Sequence, residues 1–134
     1  MLLASLSMQL GISWLQDTNS AEPRFQHEEA IEKLCVRLRQ YLVHAWTIDE
    51  MAREVNRSPA QLLRCFLRAK EISPHRYLVR LRLEFAIDEL SRTAKSIDLV
   101  AQESGFRSLR GFEMAMRSHY GVSPSQVRSL AWPK

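Results

Sequence analysis

Two stretches of this 134-residue chain repeat one pattern at an almost constant offset, and that repeat limits the fold more than any other feature. In the later copy, residues 96–128, Ile97, Val100 and Ala101 recur at helical spacing behind Ser96, whose hydroxyl can accept from the first free backbone N–H groups. Gly105 tolerates the left-handed conformation of a sharp turn, so this helix should stop near Ser104. Phe106 then packs inward and Ser108 caps a second helix. Phe112, Met116 and Tyr120 put an apolar stripe on that helix, opposite Arg107, Arg110, Glu113, Met114 and Arg117.

The earlier copy, residues 47–77, follows the same plan. Thr47 with Glu50 forms a capping box, and Ile48, Met51, Ala52 and Val55 face inward. Asn56 takes the place of Gly105, being the next best residue for a left-handed turn. Ser58, Pro59 and Gln61 then start a helix with Leu62, Phe66 and Ala69 inward and Ala60, Gln61, Arg64 and Arg68 outward. Ala52 aligns with Ala101 at an offset of 49, whereas Ser58 aligns with Ser108, Leu62 with Phe112 and Ser73-Pro74 with Ser123-Pro124 at 50. One residue of turn length separates the copies. A short helix, a tight turn and a second helix with an outward polar face is the sequence form of a helix-turn-helix.

Between the copies, Ser73 and Pro74 begin a long helix with Tyr77, Leu78, Leu81, Phe85 and Leu90 on its buried side. Ahead of them, Ile31, Leu34, Cys35, Leu38, Tyr41 and Leu42 mark an amphipathic helix over residues 28–44. The fold class is therefore all-α, with about seven helices: two helix-turn-helix units, near 47–70 and 97–119, joined by a linker helix near 74–92. Such a domain occupies residues 28–134. In residues 1–27, Leu3, Leu6, Leu10 and Trp14 fall on one helical seam, and residues 17–23 read as a linker. That segment fits either a packing helix or the end of an upstream dimerisation or sensor domain. It fits neither a signal peptide nor a membrane span.

Charge gives the first functional hint. The net charge is +4, and because residues 1–29 set Arg24 against Asp17, Glu22, Glu28 and Glu29, residues 30–134 carry +7. A basic helical domain suits a polyanionic partner. Enzyme chemistry finds little purchase: His27, His44, His75 and His119 are scattered, no nucleophile has an adjacent base, and no Gly-rich loop could cradle phosphate. No cofactor or metal set is expected. Cys35 and Cys65 sit in apolar rows and read as buried free thiols, which suits the reducing cytoplasm.

With the double helix-turn-helix, RLRLEFA in the joining helix and GxSPxxxR at residues 121–128, the chain resembles the DNA-binding domain of AraC/XylS-family bacterial transcription regulators. The resemblance covers about residues 28–128. It implies a DNA-binding transcription regulator whose recognition helices, near 59–70 and 108–119, enter successive major-groove segments of double-stranded DNA. A linker helix of roughly 18 residues would span about 27 Å, compatible with separating two groove readers by one helical turn.

The same resemblance nominates residues. Arg64 takes the groove-facing arginine position, suited to bidentate bonds with a guanine edge. Gln61 would pair with adenine or serve its cap, and Leu109 and Arg110 stand where family members read bases, Leu109 against a thymine methyl or packed at the helix start. Ser58, Arg68, Ser73, Arg76, Arg80, Arg107, Ser108 and Ser123 are the phosphate or positioning set, although capping alone explains the serines. Arg76, Arg80 and Arg82 are divided between phosphate contacts and ion pairs with Glu84 or Asp88. RNA polymerase is the implied protein partner, and a small-molecule effector is implied only if an upstream domain exists. Three departures stand out: Glu71 replaces the usual glycine before Ile-Ser-Pro in the first unit, Met114 replaces a groove-facing arginine in the second, and Gly111 weakens the same helix, so the second unit should bind more weakly or less specifically than the first. The rival reading is a helical fragment that contacts RNA polymerase or another subunit rather than DNA.

Overall fold

The structure, a computed structural model, describes residues 21–132. Among them are seven helices and no strand: α1 (Ala21–Gln40), α2 (Ile48–Glu54), α3 (Pro59–Lys70), α4 (Pro74–Arg92), α5 (Ile97–Glu103), α6 (Leu109–Tyr120) and α7 (Pro124–Ala131). The all-α expectation holds. The seam through Leu3, Leu6, Leu10 and Trp14 lies outside the described residues.

Local chemistry starts each helix after the first. Thr47, Ser58, Ser73, Ser96, Ser108 and Ser123 are N-caps, each accepting from the backbone N–H three residues on. The expected capping box of Thr47 with Glu50 is closed in both directions, and so are those of Ser58 with Gln61 and Ser123 with Gln126. Helix α1 differs from expectation by beginning at Ala21, inside the segment read as a linker. Pro23 permits this, because the first-turn N–H it lacks would have no partner within the helix anyway.

Both helix-turn-helix turns end the first helix in the same way. Asn56 (φ +54°) and Gly105 (φ +97°) are left-handed. Arg57 N–H reaches Ala52 O at 3.0 Å, and Phe106 N–H reaches Ala101 O at 3.0 Å. Asn56 N–H to Arg53 O and Gly105 N–H to Gln102 O complete two Schellman motifs.

Two cores form, one per unit, and α4 serves both. Ile31, Leu34, Cys35, Leu38, Met51, Ala52, Val55, Leu62 and Phe66 bury with Tyr77, Leu78 and Leu81. Val100, Ala101, Phe112 and Met116 bury with Leu83, Ala86 and Leu90. On a helical wheel the two α4 stripes lie about 165° apart, so the units sit on nearly opposite sides of the linker helix. This corrects the expectation for Phe85, which is 38% exposed. It continues the first stripe past the end of the first core, whereas Leu83 and Ala86 already belong to the second. Tyr41 and Tyr120, expected in apolar stripes, are also exposed, and Cys65 is only half-buried.

Candidate nucleic-acid interface

The outward faces of α3 and α6 follow from what their inward faces bury. Leu62 and Phe66 anchor α3, leaving Ala60, Gln61, Leu63, Arg64, Leu67 and Arg68 exposed. Phe112 and Met116 anchor α6, leaving Leu109, Arg110, Glu113, Met114 and Arg117 exposed. Arg110, Glu113, Met114, Arg117 and Ser123 line an open hollow of about 340 Å³, so the start of α7 edges the outward face of α6. Sequence places Arg117 on this outward face but not among the site residues; its spacing of seven from Arg110, two helical turns, is the signal that would have added it.

The arginines divide into two groups by what they touch. Arg37 pairs with Glu54 and Arg92 with Asp88. Arg39 donates to the Tyr77 hydroxyl, and Arg57 Nε to His27 Nδ1 at 3.0 Å. Arg82 donates to the carbonyls of Leu42 (3.0 Å) and His44 (2.8 Å), and Arg128 to those of Leu90 and Thr93 at the C-terminal end of α4. Arg64, Arg68, Arg76, Arg107, Arg110 and Arg117 are exposed and have no carboxylate partner among the described residues, and the same holds for Arg53 at the end of α2. Arg80 is half-buried, its guanidinium 5.7 Å from the centre of the Tyr77 ring.

The expected ion pairs of the linker arginines with Glu84 or Asp88 do not form. Asp88 is one turn from Arg92 and is taken by it, while Arg82 turns inward to backbone oxygens. Burial, and then the charge of Arg107, lower the Arg82 pKa from its ordinary value.

Residues 51–129 match the family described as a helix-turn-helix domain. A transcriptional regulator of Chromobacterium violaceum with an AraC-type DNA-binding domain superposes at a TM-score of 0.72 and 27% identity, over 80% of this chain and 96% of that one. The chain belongs to the AraC-type helix-turn-helix family. Members of this AraC-type family are DNA-binding transcription regulators. MtrA of Neisseria gonorrhoeae, an HTH-type transcriptional regulator, is 39% identical over 83 residues, 62% of this chain and 28% of MtrA. The chain thus spans under a third of that relative's length. The DNA-binding domain of AdpA, a global transcriptional factor solved in complex with a target DNA, shares the fold at a TM-score of 0.72 and 23% identity, over 75% of this chain and 91% of that one.

On this AraC-type framework the nominated polar side chains are already engaged locally. Gln61 Oε1 accepts from Ser58 N–H at 2.9 Å, so the Gln61 NH₂ group is the part left for a base edge. Ser58, Ser73, Ser108 and Ser123 each accept through Oγ from the N–H of the third residue of their own helix, and proline opens α3, α4 and α7, so an anion is left the hydroxyl proton with one N–H in those three helices and two in α6. Leu109 is the first residue of α6 and is exposed rather than packed.

Proposed function

We propose that the chain binds double-stranded DNA sequence-specifically and regulates transcription, setting α3 and α6 into adjacent major-groove segments. The observation carrying this reading is the sorting of arginines. Those on the outward faces of two duplicated units lack carboxylate partners among the described residues, while those at the seams are bonded internally. A helix face with unspent guanidinium groups is suited to phosphate oxygens and guanine edges. The fold shared with the AdpA domain, which that protein uses on its target DNA, supports the same reading.

In this reading Arg64 and Arg110 read base edges, with Gln61 NH₂ and Leu109 beside them. Arg68, Arg76, Arg80 and Arg107, with the helix starts behind Ser58, Ser73, Ser108 and Ser123, grip the backbone. Residues 28–134 act as the DNA-binding domain, and residues 1–27 lead into it. The protein works in the cytoplasm, where Cys35 and Cys65 stay as free thiols. RNA polymerase is its protein partner there.

Selection from a random duplex pool, followed by gel retardation at increasing salt, tests the reading. It expects one enriched sequence and an affinity that falls steeply with salt as counterions are released. A chain that retards no duplex is a protein-interaction module instead.

A further inference from the structure

The middle of the outward face of α6 is held by Met114, which is 60% exposed and lines the hollow with Arg110 and Arg117. It adds nothing to the core, since Phe112 and Met116 are the residues α6 buries. At 3.6 residues per turn, Met114 lies about 40° around the helix from Arg110 and about 60° from Arg117. Along the axis it stands roughly 6 Å beyond the first and 4.5 Å before the second. All three therefore meet one surface. The same position in the first unit, at an offset of 50, is Arg64. One scaffold thus presents a planar cation with five donors, and the other a polarizable thioether with none.

The major groove offers a donor-free apolar side chain one matching group, the C5-methyl of thymine. Against a G·C pair, Met114 would cover the guanine O6 and N7 acceptors without bonding them, and desolvated acceptors left unpaired are costly. The position therefore selects for one base and against another.

We propose that Met114 is a specificity-determining residue that reads a thymine methyl in the second half of the bound site. The site is then asymmetric, with a guanine edge opposite Arg64 and a thymine methyl opposite Met114. This rests on the DNA-binding reading above and adds the chemistry of the second half-site. Arg110, the base reader one turn before the methionine, and Arg117, one turn after it, bracket Met114 along the helix, so the thioether meets the groove floor beside the base that Arg110 reads while Arg117 reaches a phosphate.

The test uses duplexes selected by the whole chain. One position in the second half carries thymine, and replacing it with uracil, which lacks only the methyl, weakens binding roughly three- to five-fold. Met114→Ala loses about as much on the thymine duplex and becomes indifferent to uracil, and Met114→Arg shifts the preference at that pair toward guanine. Absence of any selected thymine there, or a uracil effect that is nil in the wild type or equal in wild type and Met114→Ala, overturns the assignment. The parent reading survives that outcome if Arg64→Ala still alters selection in the first half. A wild-type chain that selects no sequence overturns both.

Discussion

Arg82 and Gly105 occupy the same small space: a Cβ added at Gly105 would stand 2.7 Å from Arg82 Nε and 2.7 Å from the Leu42 carbonyl oxygen. The guanidinium of Arg82, from the middle of α4, is bonded to the carbonyls of Leu42 and His44 after α1. The turn of the second unit closes directly over it. Three segments distant in sequence are thus tied at one point, and this tie links the first unit to the second.

Gly105→Ala meets two obstacles, a φ of +97° and the lack of room for a methyl. A loss of about 3 kcal/mol in stability is expected, measured by urea denaturation. Arg82→Leu removes the donors to two carbonyls and should cost about 1 to 3 kcal/mol. A near-neutral result for both substitutions would show that the tie is slack.

Glu71 ends α3 with φ +67°, where its counterpart Gly121 ends α6 with φ +74°. A side chain in that conformation is strained, so Glu71→Gly should raise stability by about 1 kcal/mol despite the added freedom of the unfolded chain. Thermal denaturation of the two proteins checks this; a lower midpoint for the glycine variant would mean that Glu71 holds a compensating contact.

Arg64→Ala should cost about 1 to 3 kcal/mol on the selected duplex and relax preference at one or two base pairs of the first half. Arg110→Ala should do the same in the other half. Binding isotherms on selected and random duplexes separate the cases, because an equal loss on both would make either arginine a phosphate contact.

Arg57 Nε donates to Nδ1 of His27, which requires that nitrogen to be unprotonated. Burial first, then the charges of Arg57 and Arg68, hold the His27 pKa below its ordinary value. The unfolded chain therefore binds a proton at His27 more readily than the folded one. The contribution to stability is complete above about pH 6.5 and declines as pH falls below it. His27→Gln should flatten that part of the stability–pH profile in denaturant titrations between about pH 5 and 7.5. An unchanged slope would clear His27 of the effect.

How much of this was legible in the sequence depended on the range of each interaction. Caps and turns were, because Ser58, Gln61, Asn56 and Gly105 act on backbone within a few residues. The recognition faces followed from Leu62, Phe66, Phe112 and Met116, whose spacing names the buried side. Periodicity gives the linker helix one apolar face, a single stripe that runs through Phe85. Two cores on opposite sides of α4 make two half-length stripes, which periodicity alone merges. Sequence offers Arg82 only phosphate or a nearby carboxylate and gives Arg128 no partner beyond its place in GxSPxxxR, since their partners are backbone carbonyls more than thirty residues away. Nothing in the spacing of residues 17–23 shows that α1 already begins at Ala21.

The most direct measurement is affinity as a function of the spacing between the two halves of the selected site. If one rigid chain presents α3 and α6 to a single duplex together, inserting about five base pairs, half a helical turn, rotates one half away and reduces affinity to that of the first half alone. Affinity unchanged by that insertion would contradict the account, since the two helices would then be binding independently or only one would be binding at all.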